Sequence, residues 1–333
     1  RRCAWAAEMP SPSRSNASAD RVPQDAGALV MTVPAGRSLL PADRVPWHPV
    51  ARLGAFLVSV VVASLVAQAV AYPIVAFLLE RLGVRPLLGS WLQLAGAWGG
   101  SVLAIRVAES SRALVPDRVA LAREAWRLRA LRDGALSGAM PMAAALAVLL
   151  FVGAYAVAPI ADAGHGTAAL RALAVLVPAA AAEEVLVRGY AFTVLAEWRG
   201  AALATGVTSV AFAALHAANP GATPGSLVNV ALAGVLLALV RWRTGSLAAA
   251  IVAHLAWNTS LVVVAHAPVS GLAFATPGWR LVPQGPVWLT GGAWGPEGSL
   301  VATVTLGLAC LLVARRAVSS VPSSARSGAP RVA

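Results

Sequence analysis

The chain has no lysine: all 26 of its basic residues are arginine. With alanine and glycine abundant, this bias reflects a GC-rich coding sequence rather than selection for guanidinium chemistry. Charge of either sign is scarce. Only 12% of the 333 residues are charged, against about 25% in a soluble domain. Hydrophobic residues make up 58% and the mean hydropathy is +0.72, which excludes a soluble globular protein. Cysteine is nearly missing. Cys3 falls in a polar tail and Cys310 in the last apolar run, so no disulfide framework follows. The net charge of +12 suggests nucleic acid at first, but the arginines lie at the ends of apolar runs, where they set membrane orientation. No nucleic-acid partner is expected. The first 49 residues lack an apolar core long enough for a cleaved signal. They read as a disordered tail, as does 317–333. Arg1 stands first, so translation is expected to start elsewhere, for instance at Met31.

What is present is a series of long apolar runs, near 53–79, 86–105, 134–158, 172–196, 201–217, 225–241, 246–266 and 298–314. At about 20 residues per crossing, with backbone polar groups satisfied internally in lipid, this is an all-α polytopic membrane protein of about eight transmembrane helices. Two helices and a basic segment fill 50–133, and a core occupies 134–316. If the tail is cytoplasmic, 21 arginines lie inside and 4 outside, with Arg188 in a span. Both termini are therefore expected on the cytoplasmic side of the cytoplasmic (inner) membrane. The basic segment 107–133 suits either an amphipathic helix on the inner leaflet or a solvated loop. The segment 267–297, with Trp279, Trp288 and Trp294, reads as an outer loop touching the membrane surface and covering part of the site. Gly134 and Gly138 form a small-xxx-small helix-packing pair.

A few polar side chains sit inside these runs, where an ionisable group costs at least ~2.5–3.5 kcal/mol and marks function by default. Of 14 acidic residues, only the adjacent Glu183 and Glu184 fall in an apolar span, with Arg188 one turn on. Glu184 and Arg188 are spaced i,i+4 with the acid first, the favourable order, and a buried guanidinium needs its partner. Glu183, rotated about 100° away, is free to face the bundle interior. His254 and Asn258 share a helix face, and His216 comes from another helix. Such a set can converge from three helices. A carboxylate and a histidine can hold and deprotonate water, while a histidine N–H and an amide can donate to an oxyanion. Two histidines, a carboxylate and an amide oxygen also suit a divalent metal. A proton relay in a transporter is a further reading of the same groups, and it predicts helices broken near Glu183 or His254.

The three groups Glu183-Glu184-Val-Leu-Val-Arg188, Phe212-Ala-Ala-Leu-His216 and His254-Leu-Ala-Trp-Asn258 resemble the motifs of the CAAX-protease and bacteriocin-processing (Abi) family of intramembrane proteases. Flanking Gly295-Pro-Glu-Gly-Ser299 agrees, and the resemblance extends roughly over 134–315. It implies an eight-helix membrane endopeptidase acting on a membrane-associated protein or peptide in the lipid bilayer. Glu183 would activate water with help from His216. His254 and Asn258 would bind the oxyanion, Glu184 would count with them among the catalytic residues, and Arg188 and Phe212 would support the site. No cofactor is expected. The metalloendopeptidase-like alternative would use a divalent ion such as zinc, with His216 and His254 as ligands. A catalytically silent membrane scaffold is the remaining alternative.

Overall fold

The structure, a computed structural model, describes residues 47–71, 73, 77, 88–109, 114–160, 165–274 and 278–319. Positions 1–46 and 320–333, which make up most of the expected tails and include Cys3 and Met31, lie outside them, as do Arg81, Arg85 and Arg112. The fold is an all-α polytopic membrane bundle. The helices are α1 (Pro49–Val66, extended by a π turn at Ala67–Ala71), α2 (Leu88–Ala108), α3 (Leu128–Phe151) and α4 (His165–Glu184). They continue with α5 (Tyr190–Leu215), α6 (Pro224–Thr244), α7 (Leu247–Thr259) and α8 (Leu300–Ser319). Among the described residues four helices are long and apolar enough to cross a membrane: Pro49–Val70, Leu128–Phe151, Pro224–Thr244 and Leu247–Val264. Leu300–Arg315 is a shorter apolar helix.

Local chemistry sets the ends. Thr223 and Ser226 form a reciprocal capping box at the start of α6, with Pro224 next, and left-handed Gly245 closes it. Ser246 then caps α7. α4 passes into α5 through a π turn, Val185–Gly189, whose last residue leaves helical geometry at ψ −114°, and the chain kinks again at Gly200, whose φ of 85° only glycine takes readily. The fourth and fifth runs therefore meet at a single residue.

Several expectations are corrected. The third helix starts earlier, at Leu128, and ends at Phe151 rather than near 158. Its 24 residues already suffice to cross, and Tyr155–Pro159 leaves as a strand, β1. This strand pairs antiparallel with β2, Trp279–Pro283, inside the segment read as a loop. Trp294 of that segment is wholly buried in the core rather than interfacial. The described part of the segment 107–133, which begins again at 114, is neither one amphipathic helix nor a solvated loop. It turns twice, at Val115–Arg118 and Arg123–Trp126, and Arg118 is buried. Arg118 pairs with Glu109 (2.7 Å) and Glu197 (2.6 Å), and Arg52 joins both acids. Burial alone would lower the Arg118 pKa, but the hydrogen bonds and charges of Glu197 and Glu109 outweigh it and raise it. At the other end α8 runs on to Ser319, past the expected start of the C-terminal tail.

The small-residue pair on α3 packs as expected. A Cβ on Gly134 would stand 2.3 Å from the Ala249 carbonyl oxygen, and one on Gly138 would stand 1.9 Å from that of Ala253. α3 thus lies against α7 with no room for a methyl group, one residue from His254.

Candidate active site

The π turn Val185–Gly189 begins directly after Glu184. Such wide turns inside helices concentrate at functional sites. A second one, Ser260–Val264, follows the Asn258 end of α7. The second runs on directly from α7, whereas the first ends at Gly189, whose ψ of −114° departs from helical geometry.

Glu184 and Arg188 are both fully buried and paired at 3.1 Å. The guanidinium also donates to the Gly234 carbonyl (3.2 Å) and lies over the Phe212 ring, 4.2 Å from its centre. Glu184 has a second partner that spacing did not indicate: the His254 Nδ1–H donates to its Oε1 at 3.1 Å. This orients the imidazole so that Nε2 faces the other acid. His216 is fixed in the same way from its own helix. Its Nδ1–H donates to the Phe212 carbonyl at 2.8 Å, since a carbonyl can only accept. The His216 Nε2 is thereby left facing Glu183. Phe212 meets both rings edge-on, His216 at 4.6 Å and His254 at 5.7 Å between centres.

Glu183 is the freer acid, its side chain 32% exposed. Its Oε2 is buried and finds no hydrogen-bond partner among the described residues. It stands 3.7 Å from His216 Nε2 and 3.9 Å from His254 Nε2. These gaps are too long for direct hydrogen bonds and suit an intervening small polar molecule. All three sequence motifs thus meet here. Asn258 lines the adjoining cleft with His216 and His254.

Sequence reasoning missed part of this cleft. Asn229, Trp257, Ser270 and Glu297 also line it. Trp257 Nε1 donates to Glu297 (2.8 Å), and the Ser270 amide donates to the same carboxylate. The Asn229 amide donates to the carbonyls of Glu297 (2.8 Å) and Ser299 (2.9 Å). Asn229 carries the signal that marked the others, an amide inside an apolar run. Glu297 lies between runs, and only folding brings it in.

The arrangement was also tested against a metal ion. Among the described residues no three His, Cys, Asp or Glu side chains are grouped to hold one. The 3.7 and 3.9 Å separations exceed the about 3.4 Å between two ligands bound at about 2.1 Å in a tetrahedral zinc site. The spacing does not fit zinc as it stands.

Residues 165–260 match the protein family described as Type II CAAX prenyl endopeptidase Rce1-like. The match runs from the first residue of α4 to just past α7 and includes every motif position from Glu183 to Asn258. It bears out the resemblance, over a shorter stretch than 134–315. No curated protein and no solved structure matches the chain.

Proposed function

We propose that this Rce1-like membrane chain is an intramembrane endopeptidase that hydrolyses a peptide bond of a membrane-associated protein or peptide. The observation that supports the reading best is the placement of Glu183 Oε2 within 3.7 and 3.9 Å of the Nε2 atoms of His216 and His254. A water held there by Glu183 and His216 loses its proton to Glu183 and attacks the carbonyl carbon. The oxyanion takes hydrogen bonds from Asn258 and from the Nε2–H of His254. For that donation His254 must carry protons on both nitrogens. The Glu184 carboxylate at its Nδ1 balances the imidazolium. With Arg188 cationic and the half-buried Glu183 anionic the four neighbouring groups sum to zero, which a low-dielectric surrounding favours. Glu183 then returns its proton to the leaving amine. No step uses a metal ion. The bilayer holds the substrate, and the arginine-rich end, with both termini, faces the cytoplasm.

Glu183→Gln tests the assignment. The amide keeps the shape and removes the base. Cleavage of a membrane peptide pool by purified protein should be abolished with the melting temperature unchanged. A Gln variant that turns over like its parent would sink the proposal.

A further inference from the structure

The two ends of this bundle differ in kind. Twelve of the fifteen arginines in the described residues lie at one end of the helices, Arg171 and Arg280 at the other, and Arg188 between. The arginine-rich end is closed. The segment 114–127 folds across it, with the Leu247 amide donating to Ala120 (2.9 Å) and the Ser246 hydroxyl to Ala125 (2.6 Å). The buried Arg52, Glu109 and Arg118, with the partly buried Glu197, tie α1 and α2 to α5 there.

The other end is built differently. From Gly200 the second arm of α5, 201–215, rises only about 22 Å at 1.5 Å per residue, short of a hydrocarbon core of about 30 Å. It stops below the far surface, at His216. Irregular backbone at that depth is tolerated only inside protein or beside water. Here the turn after His216 meets the segment 265–299: Asn219 donates to the Ser270 carbonyl at 3.0 Å, and the Gly271 amide to that of Trp294 at 3.3 Å. A Cβ on Gly271 would stand 1.9 Å from the Pro220 oxygen. The cleft beside Glu183 takes its off-helix walls from this side alone, Ser270, Trp294 and Glu297.

We infer that the cleft is served from the arginine-poor, outer face of the membrane. Its substrate is then the outer segment of an exported or membrane-anchored polypeptide, not a cytoplasmic chain end. The substrate side of this inference rests on the endopeptidase reading above; the accessible face does not. Positive charge resists translocation, so the arginine-rich end stays cytoplasmic and the end that supplies Ser270, Trp294 and Glu297 to the cleft faces out.

Single cysteines test it in a Cys3→Ser, Cys310→Ala background. Ser270→Cys and Ala218→Cys report the cleft side, and Leu128→Cys reports the opposite end. Sealed spheroplasts are treated with a membrane-impermeant sulfonated maleimide before or after lysis. The expected result is labelling of Ser270→Cys and Ala218→Cys equally in both conditions, and of Leu128→Cys only after lysis. If the two cleft-side cysteines react only after lysis, or not at all, the inference is overturned. Labelling does not depend on turnover. A parent protein that cleaves no membrane peptide in the same background would therefore defeat the endopeptidase reading while the labelling pattern still decides the face.

Discussion

Arg188 shows how one residue can serve charge, packing and geometry together. It neutralises Glu184, donates to Gly234 and stacks on Phe212, while Glu184 holds His254. Removing it leaves a buried carboxylate against a ring it must orient. Arg188→Ala should destabilise the protein by about 3–5 kcal/mol and lose activity. Thermal melting in detergent checks this, and a variant as stable as its parent would show that the pair carries no weight. Asn258 raises a different question, whether the cleft stabilises an oxyanion or a cation. Asn258→Asp removes a donor and adds a negative charge. Loss of one such donor costs about 10²–10³ in rate, so the Asp variant should be nearly inactive, with or without added divalent ions. The parent should survive prolonged chelation. Activity lost to chelator and restored by a stoichiometric divalent ion would reinstate the metal-dependent reading with His216 and His254 as ligands.

At the scale of elements, the seam between α3 and α7 positions the chemistry without touching it. Gly138 allows the Ala253 carbonyl to approach, and His254 follows. Gly138→Ala forces the two helices apart or out of register, an overpacking cost of about 1–3 kcal/mol, and moves His254 relative to Glu183. Turnover should drop together with stability. Gly206 sits in the second arm of α5 with open space around it. Gly206→Ala there should stabilise by about 0.5–1 kcal/mol and leave turnover alone. If both substitutions behave alike in paired melting and turnover assays, the seam has no special role.

For the whole molecule, the buried ion set at the arginine-rich end is a fastening distant from the cleft in the chain's architecture. Glu109 is nearly inaccessible and faces both Arg52 and Arg118. Glu109→Gln leaves two guanidinium groups against Glu197 alone, and should cost about 3–5 kcal/mol while turnover measured well below the melting temperature stays near the parental rate. Adding Arg118→Leu should recover part of the loss, since a buried pair replaced by apolar side chains is often tolerated. Equal loss of turnover and stability would place this fastening in the catalytic cycle.

The sequence by itself determined the class of fold and most of the residues gathered at the candidate site. Apolar runs of membrane length leave helices as the workable structure in lipid, and a charged or amide side chain inside one is too costly to be incidental. That reasoning found Glu183, Glu184, Arg188, His216, His254 and Asn258, and the spacing of Glu184 and Arg188 was enough to pair them. Tertiary structure alone decided the rest. Whether Glu184 also holds His254, and which histidine nitrogen faces Glu183, depends on helices far apart in the chain. The strand pair, the burial of Trp294 and the entry of Glu297 into the cleft arise because 265–299 folds back onto helix ends it does not adjoin in sequence. Periodicity describes one segment at a time; these features are contacts between segments, and their energies exist only once the segments meet.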